Sequence, residues 1–126
     1  MYISSKADVR KAIVAKISGL QFNIGGEVFP KVEIADIYES EVQDKSDDVR
    51  EVSLYLEVIG NTSYEQVSTI SDTIASSICG GDTMPMEDWR VADVTKVQSN
   101  DYQEVGEADQ IIHRIRDNYR VLTTLK

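Results

Sequence analysis

The sequence predicts a two-layer α+β domain: a four-stranded antiparallel sheet with two helices packed on one face, in the order α-β-β-α-β-β. Three observations carry this expectation. Val9-Ile13-Ile17 and Val67-Ile70-Ile74-Ile78 repeat apolar residues at helical spacing. Val52, Leu54, Leu56 and Val58 alternate with Ser53, Tyr55 and Glu57, the pattern of a strand with one buried face. The 126 residues, 41% hydrophobic and 28% charged, suffice for one core without disulfides or a metal and are too balanced for disorder.

Ser5 precedes the first periodic stretch, where its hydroxyl can accept from free backbone N–H groups as an N-cap. Val9, Ile13 and Ile17, with Ala12 and Leu20, form one stripe, and Lys6, Arg10, Lys11 and Lys16 lie off it. A helix is expected over residues 5–18, stopped by Gly19. Residues 21–29 read as a connection, with Gly25-Gly26 allowing a tight reversal. Residues 28–38 read as a strand, with Val32, Ile34 and Asp36 on one face and Glu33, Ala35 and Ile37 on the other. Residues 39–48 carry Glu39, Glu41, Asp44, Asp47 and Asp48 against Lys45 alone, so they read as a solvated acidic loop closing an antiparallel hairpin.

Gly60-Asn61 ends the alternating strand, and Thr62-Ser63-Tyr64-Glu65 fits a capping box, with Ser63 to Gln66 as a second register. The helix that follows is serine-rich on its polar side and ends at Cys79-Gly80-Gly81. Residues 89–99 alternate weakly, with Trp89, Val91, Asp93, Thr95 and Val97 on one face, and residues 100–106 read as a polar turn. Residues 108–125 form a strand-like run. Ile111, Ile115, Tyr119, Val121 and Leu125 share one parity; Arg114, Arg116, Arg120 and Leu122 share the other. Its length exceeds that of an ordinary strand, so a bulge or bend is expected near Asp117-Asn118. No repeat or linker divides residues 1–126, which read as one domain.

The net charge is −9, from 13 basic and 22 acidic residues. It is unevenly placed: +3 over residues 1–20, −15 over 21–109 and +3 over 110–126. The acidic excess argues against a sequence-independent grip on DNA or an anionic membrane. It describes either a solvated surface or a head-to-tail oligomer in which the basic ends of one copy meet the acidic middle of the next. The apolar runs are far too short to cross a membrane, and no apolar leader follows Met1, so folding in a cytoplasm is expected.

No phosphate-cradling glycine motif and no nucleophile elbow occurs. Cys79 and His113 are the sole residues of their types, which rules out an internal disulfide and the usual zinc sets. Cys79 falls at a helix C-terminus, where nothing lowers a thiol pKa, so an inert thiol is favoured over a Cys79–His113 dyad. Asp44, Asp47 and Asp48 lack the ligand spacing of a calcium loop. No catalytic residue, metal or cofactor is therefore expected. A small ligand- or peptide-binding module, dimeric and lined by Trp89 and tyrosines, is the alternative to an assembly role.

The basic amphipathic opening helix 7–17, Val28-Phe29-Pro30-Lys31-Val32-Glu33-Ile34 entering the first strand, the strand-then-helix block 52–78 and the Arg-rich final strand 111–125 together resemble the lambda-type tail terminator (tail-completion, minor tail) proteins of long-tailed bacteriophages. The resemblance covers nearly the whole chain. It implies a structural virion protein, not an enzyme, assembled in the bacterial host cytoplasm. It further implies a self-associating, hexameric ring that caps the tail tube, ends its polymerisation and joins the tail to head–tail connector proteins. DNA would pass through the ring without specific binding, and an acidic lumen drawn from residues 39–48 or 101–109 would suit that passage by repelling phosphate. Asp44, Asp47, Asp48, Arg114, Arg116 and Arg120 are the candidate pore-facing or interface residues.

Overall fold

The computed structural model describes residues 4–41 and 48–126. The chain runs through α1 (Lys6–Gly19), β1 (Asn23–Ile24), β2 (Lys31–Glu41), β3 (Val49–Gly60), α2 (Tyr64–Ile78), β4 (Trp89–Val105), one 3-10 turn (Glu107–Asp109) and β5 (Ile111–Leu125). The strands form one sheet in the spatial order β1-β2-β3-β5-β4. β1 runs parallel to β2 and the other neighbours are antiparallel, so the sheet is mixed.

This overturns the expected four-stranded antiparallel sheet and its α-β-β-α-β-β order. The extra strand comes from the stretch read as a connection. Gly25 and Gly26 take left-handed conformations, with φ of 63° and 75°, that a side chain would penalise. The chain folds back there, Gly25 N–H donates to the Val32 carbonyl at 2.9 Å, and Asn23 and Ile24 lie beside Lys31 and Val32. Two residues are too few to show an alternation.

β2 and β3 pair as the expected hairpin. Their register shifts between Ile34 and Asp36, where an extra residue bulges from β2. The bulge reverses the parity beyond it, so Ile37 is buried with Val32 while Asp36 is exposed. No bulge falls in β5 near Asp117-Asn118: its pairing with β3 runs unbroken from Thr124 opposite Val49 to His113 opposite Gly60. The irregularities fall in its partner instead, between Val91 and Asp93 and between Lys96 and Gln98 of β4. Residues 100–105, read as a turn, continue β4 as strand.

α1 packs over β1 and β2, and α2 over β3 and β5, on the same face. Val9, Ile13 and Ile17 of α1 and Val67, Ile70, Ile74 and Ile78 of α2 join Val32, Val52, Leu54, Leu56, Val58, Ile115, Tyr119 and Val121 in one core. α2 begins on the second capping register, with Ser63 Oγ accepting from Gln66 N–H at 3.2 Å.

Charged groups are built into this core. Glu39, placed by sequence in the acidic loop, sits near the end of β2. Its Oε2 accepts from the backbone N–H groups of Ser5 at 2.8 Å and Lys6 at 3.0 Å, so it caps α1 in place of the Ser5 side chain. Its Oε1 lies 3.3 Å from Arg50 Nε, and the Arg50 guanidinium stands 5.7 Å from the centre of the Trp89 ring. Asp117, also buried, accepts from Ser71 Oγ of α2 and Ser99 Oγ of β4, each at 2.5 Å, and pairs with Lys96 Nζ at 3.3 Å. Ser71 thereby gives the serine-rich side of α2 one buried function.

Candidate assembly surfaces

Side chains alternate across a strand, so the residues of β5 on the parity opposite to Ile115, Tyr119 and Val121 project to the sheet face that no helix covers. Arg114, Arg116 and Arg120 fall there with Asn118, as their parity predicts. Acidic partners from the same chain meet them. Arg114 Nη1 lies 2.6 Å from Glu57 Oε1 and its Nη2 2.6 Å from Glu104 Oε1. Arg116 Nη1 lies 3.5 Å from Glu57 Oε2, with its guanidinium 5.0 Å from the Tyr55 ring centre. Arg120 Nε lies 3.7 Å from Glu51 Oε1. Tyr102 adds a hydrogen bond to Glu57 at 3.1 Å, and desolvation, then the Glu57 charge, raise its phenol pKa. The basic C-terminal group thus engages the acidic middle of its own chain.

Glu57 was not singled out in the sequence, because it occupies the polar parity of β3 and reads as solvent-facing. It is buried under the two arginines it bridges. Asp48 is exposed in the turn before β3, where its carbonyl accepts from Leu125 N–H at 2.8 Å. Asp44 and Asp47 lie outside the described residues.

The two lateral edges of the sheet differ sharply. β4 forms one edge and extends through 17 residues, about 55 Å at ordinary strand rise. Its first part is anchored by buried Trp89, Val91 and Val94, but from Val97 onward every residue is exposed. Val97 is 52% exposed and Val105 72%, and Val105 pairs across the hairpin with Ile111, itself 49% exposed. Beyond that pair the tip turns through Ala108 and Asp109 at φ of 56° and 59°, held by Gly106 N–H to the Gln110 carbonyl at 2.6 Å. Glu107 and Asp109 form no ion pair among the described residues. Long exposed edge strands invite pairing with another chain.

At the opposite edge, α1 and the β1–β2 pair enclose a groove of about 320 Å³ lined by Arg10, Val14, Ile24, Gly25, Glu33 and Ile34. Lys6, Arg10 and Val14 follow one another at four-residue spacing along α1, so they share a stripe. Lys6, Arg10 and Lys16 make no ion pair among the described residues.

The residues considered for a ligand site or an enzyme are not brought together. Trp89 is fully buried beside Arg50 and packs in the core. Cys79 follows the C-terminal end of α2, whereas His113 pairs opposite Gly60, just before the N-terminal end of that 15-residue helix. A helix of that length separates its ends by about 22 Å, so the dyad is not assembled. Among the described residues no helix is long and apolar enough to cross a membrane.

No protein-family model matches the chain, and no curated protein is similar enough in sequence to match. Among solved structures, the chain is similar in fold to a chain of the virion of native gene transfer agent (GTA) particle. The TM-score is 0.68 at 10% identity, over 94% of this chain and 96% of that one.

Proposed function

We propose that this chain is a structural protein of a phage-like virion, acting as a tail terminator. Copies join side by side into a ring, with six the expected number, that caps the tail tube, ends its growth and connects the tail to the head. The observation that carries the reading is the fold correspondence, nearly end to end on both sides, with a chain of a gene transfer agent virion. The two unlike lateral edges support it further, since a ring of identical subunits needs two different surfaces that complement each other. The partners are other copies of this chain, the tail tube protein and head–tail connector proteins, with no cofactor and no chemistry performed. DNA passes without specific binding; of the acidic segments, residues 101–109 remain available to face it, whereas Glu39 is committed to capping α1.

Size-exclusion chromatography with light scattering, followed by negative-stain microscopy, tests this reading. Annular particles of one size are expected, alone or on purified tail tubes. A protein that stays monomeric at every concentration and does not bind tube ends would overturn it.

A further inference from the structure

We propose that the tip of the β4–β5 hairpin of one copy docks in the groove between α1 and the β1–β2 edge of a second copy. This rests on the ring reading and names the seam that would build it. The tip presents an exposed apolar pair, Val105 and Ile111, next to two acidic residues that form no ion pair among the described residues, Glu107 and Asp109. The groove offers the converse: an apolar lining of Val14, Ile24 and Ile34, with Arg10 at its rim and Lys6 one helical turn further along. Glu33, the one acid in the lining, is already matched by Lys31 at 3.0 Å. Apolar surface therefore meets apolar surface, and acids meet cations that have no ion pair among the described residues.

The tip cannot reach its own groove. β1 and β4 are the outermost strands of five, about 19 Å apart across four inter-strand spacings. The contact is therefore between copies and uses two different patches, the heterologous arrangement that closes into a ring or continues as a filament. The uncovered arginine face competes poorly as the seam, because Glu57, Glu104 and Glu51 already pair with its cations. The assignment leaves Asp101, rather than the tip acids or the Arg114-paired Glu104, to face a passage.

Cysteine cross-linking tests the seam. In a Cys79→Ser background, Val14→Cys and Val105→Cys are combined and treated with a short bismaleimide. A ladder beyond dimer is expected only in the double variant, each single variant stopping at dimer or below. Independently, Glu107→Lys with Asp109→Asn should weaken self-association about tenfold, and adding Arg10→Glu should restore most of it, which a variant that merely unfolded would not do. If light scattering shows an oligomer but no ladder forms and the charge swap restores nothing, this docking is overturned while the ring reading stands. If the chain is monomeric under all conditions and no ladder forms, both fall.

Discussion

Glu39 holds Ser5: its Oε2 accepts the Ser5 backbone N–H at 2.8 Å, so a residue of β2 closes a helix whose N-cap lies 34 positions earlier. The same carboxylate faces Arg50 at 3.3 Å, and both side chains are almost wholly withdrawn from water. A helix N-terminus and a guanidinium share one anion, which suits each because both carry positive charge.

Glu39→Ala removes that anion and takes from the buried Arg50 the carboxylate it faces, which should cost about 3–5 kcal/mol in urea denaturation. Glu39→Gln retains an acceptor for the helix donors and should cost less. A loss below about 1 kcal/mol for the alanine variant would show that the cap and the ion pair contribute little.

Tyr119 gives the protein an alkaline limit. Burial first, then Asp117, holds its phenol pKa above the ordinary range, and its hydroxyl has no hydrogen-bond partner among the described residues. A raised folded pKa means the stabilisation is complete below the unfolded value of about 10 and is lost as pH rises beyond it, by up to about 1.4 kcal/mol per pH unit. Tyr119→Phe should match or exceed the parent stability near neutral pH and flatten the fall above pH 10. Thermal melts across that range check both, and parallel curves for parent and variant would contradict the assignment.

Gly60 leaves no room for a side chain. A Cβ there would come within 2.7 Å of Val67 Cγ1 and 3.0 Å of Gln66 Oε1 in the first turn of α2. Gly60→Ala should therefore destabilise by about 1–3 kcal/mol through overpacking, and Val67→Ala should recover part of that in the double variant.

Glu57 keeps two like charges together. With Arg114 at 2.6 Å and Arg116 at 3.5 Å, Glu57→Gln leaves two guanidinium groups without their shared carboxylate. The expected cost is about 1–2 kcal/mol, reduced by Arg116→Ala in the same chain and by added salt. A Glu57→Gln variant insensitive to salt would argue against an electrostatic origin.

The two helices and β3 were legible because each contrasts a buried face with a wet one at a fixed period. Where that contrast fails, so did the reading. Residues 100–105 of β4 are exposed on both faces and read as a turn. Asn23 and Ile24 are too short a strand to have a period. Ile37 is buried against its parity because the bulge beside Asp36 shifts the count by one. The arginine face followed directly from parity, but its partners did not, since Glu57, Glu51 and Glu104 lie on other strands. Glu39 was hidden most completely: in sequence it belongs to a run of acids, and only the approach of α1 and Arg50 distinguishes it from its neighbours.

The position of β5 has a consequence for synthesis. It lies between β3 and β4, paired with both, yet it is the last of the five strands to be made. Until it leaves the ribosome, β3 has one bare flank, β4 has no partner, and α2 covers a sheet without its middle. Pairing Val49 with Thr124 then spans most of the chain at once, a late and long-range closure that makes folding slow compared with a helical domain of this size. A nascent chain stalled before Ile111 would present the unpaired β4 and the bare flank of β3 together, a greater aggregation hazard than the finished sheet, in which β5 pairs with both.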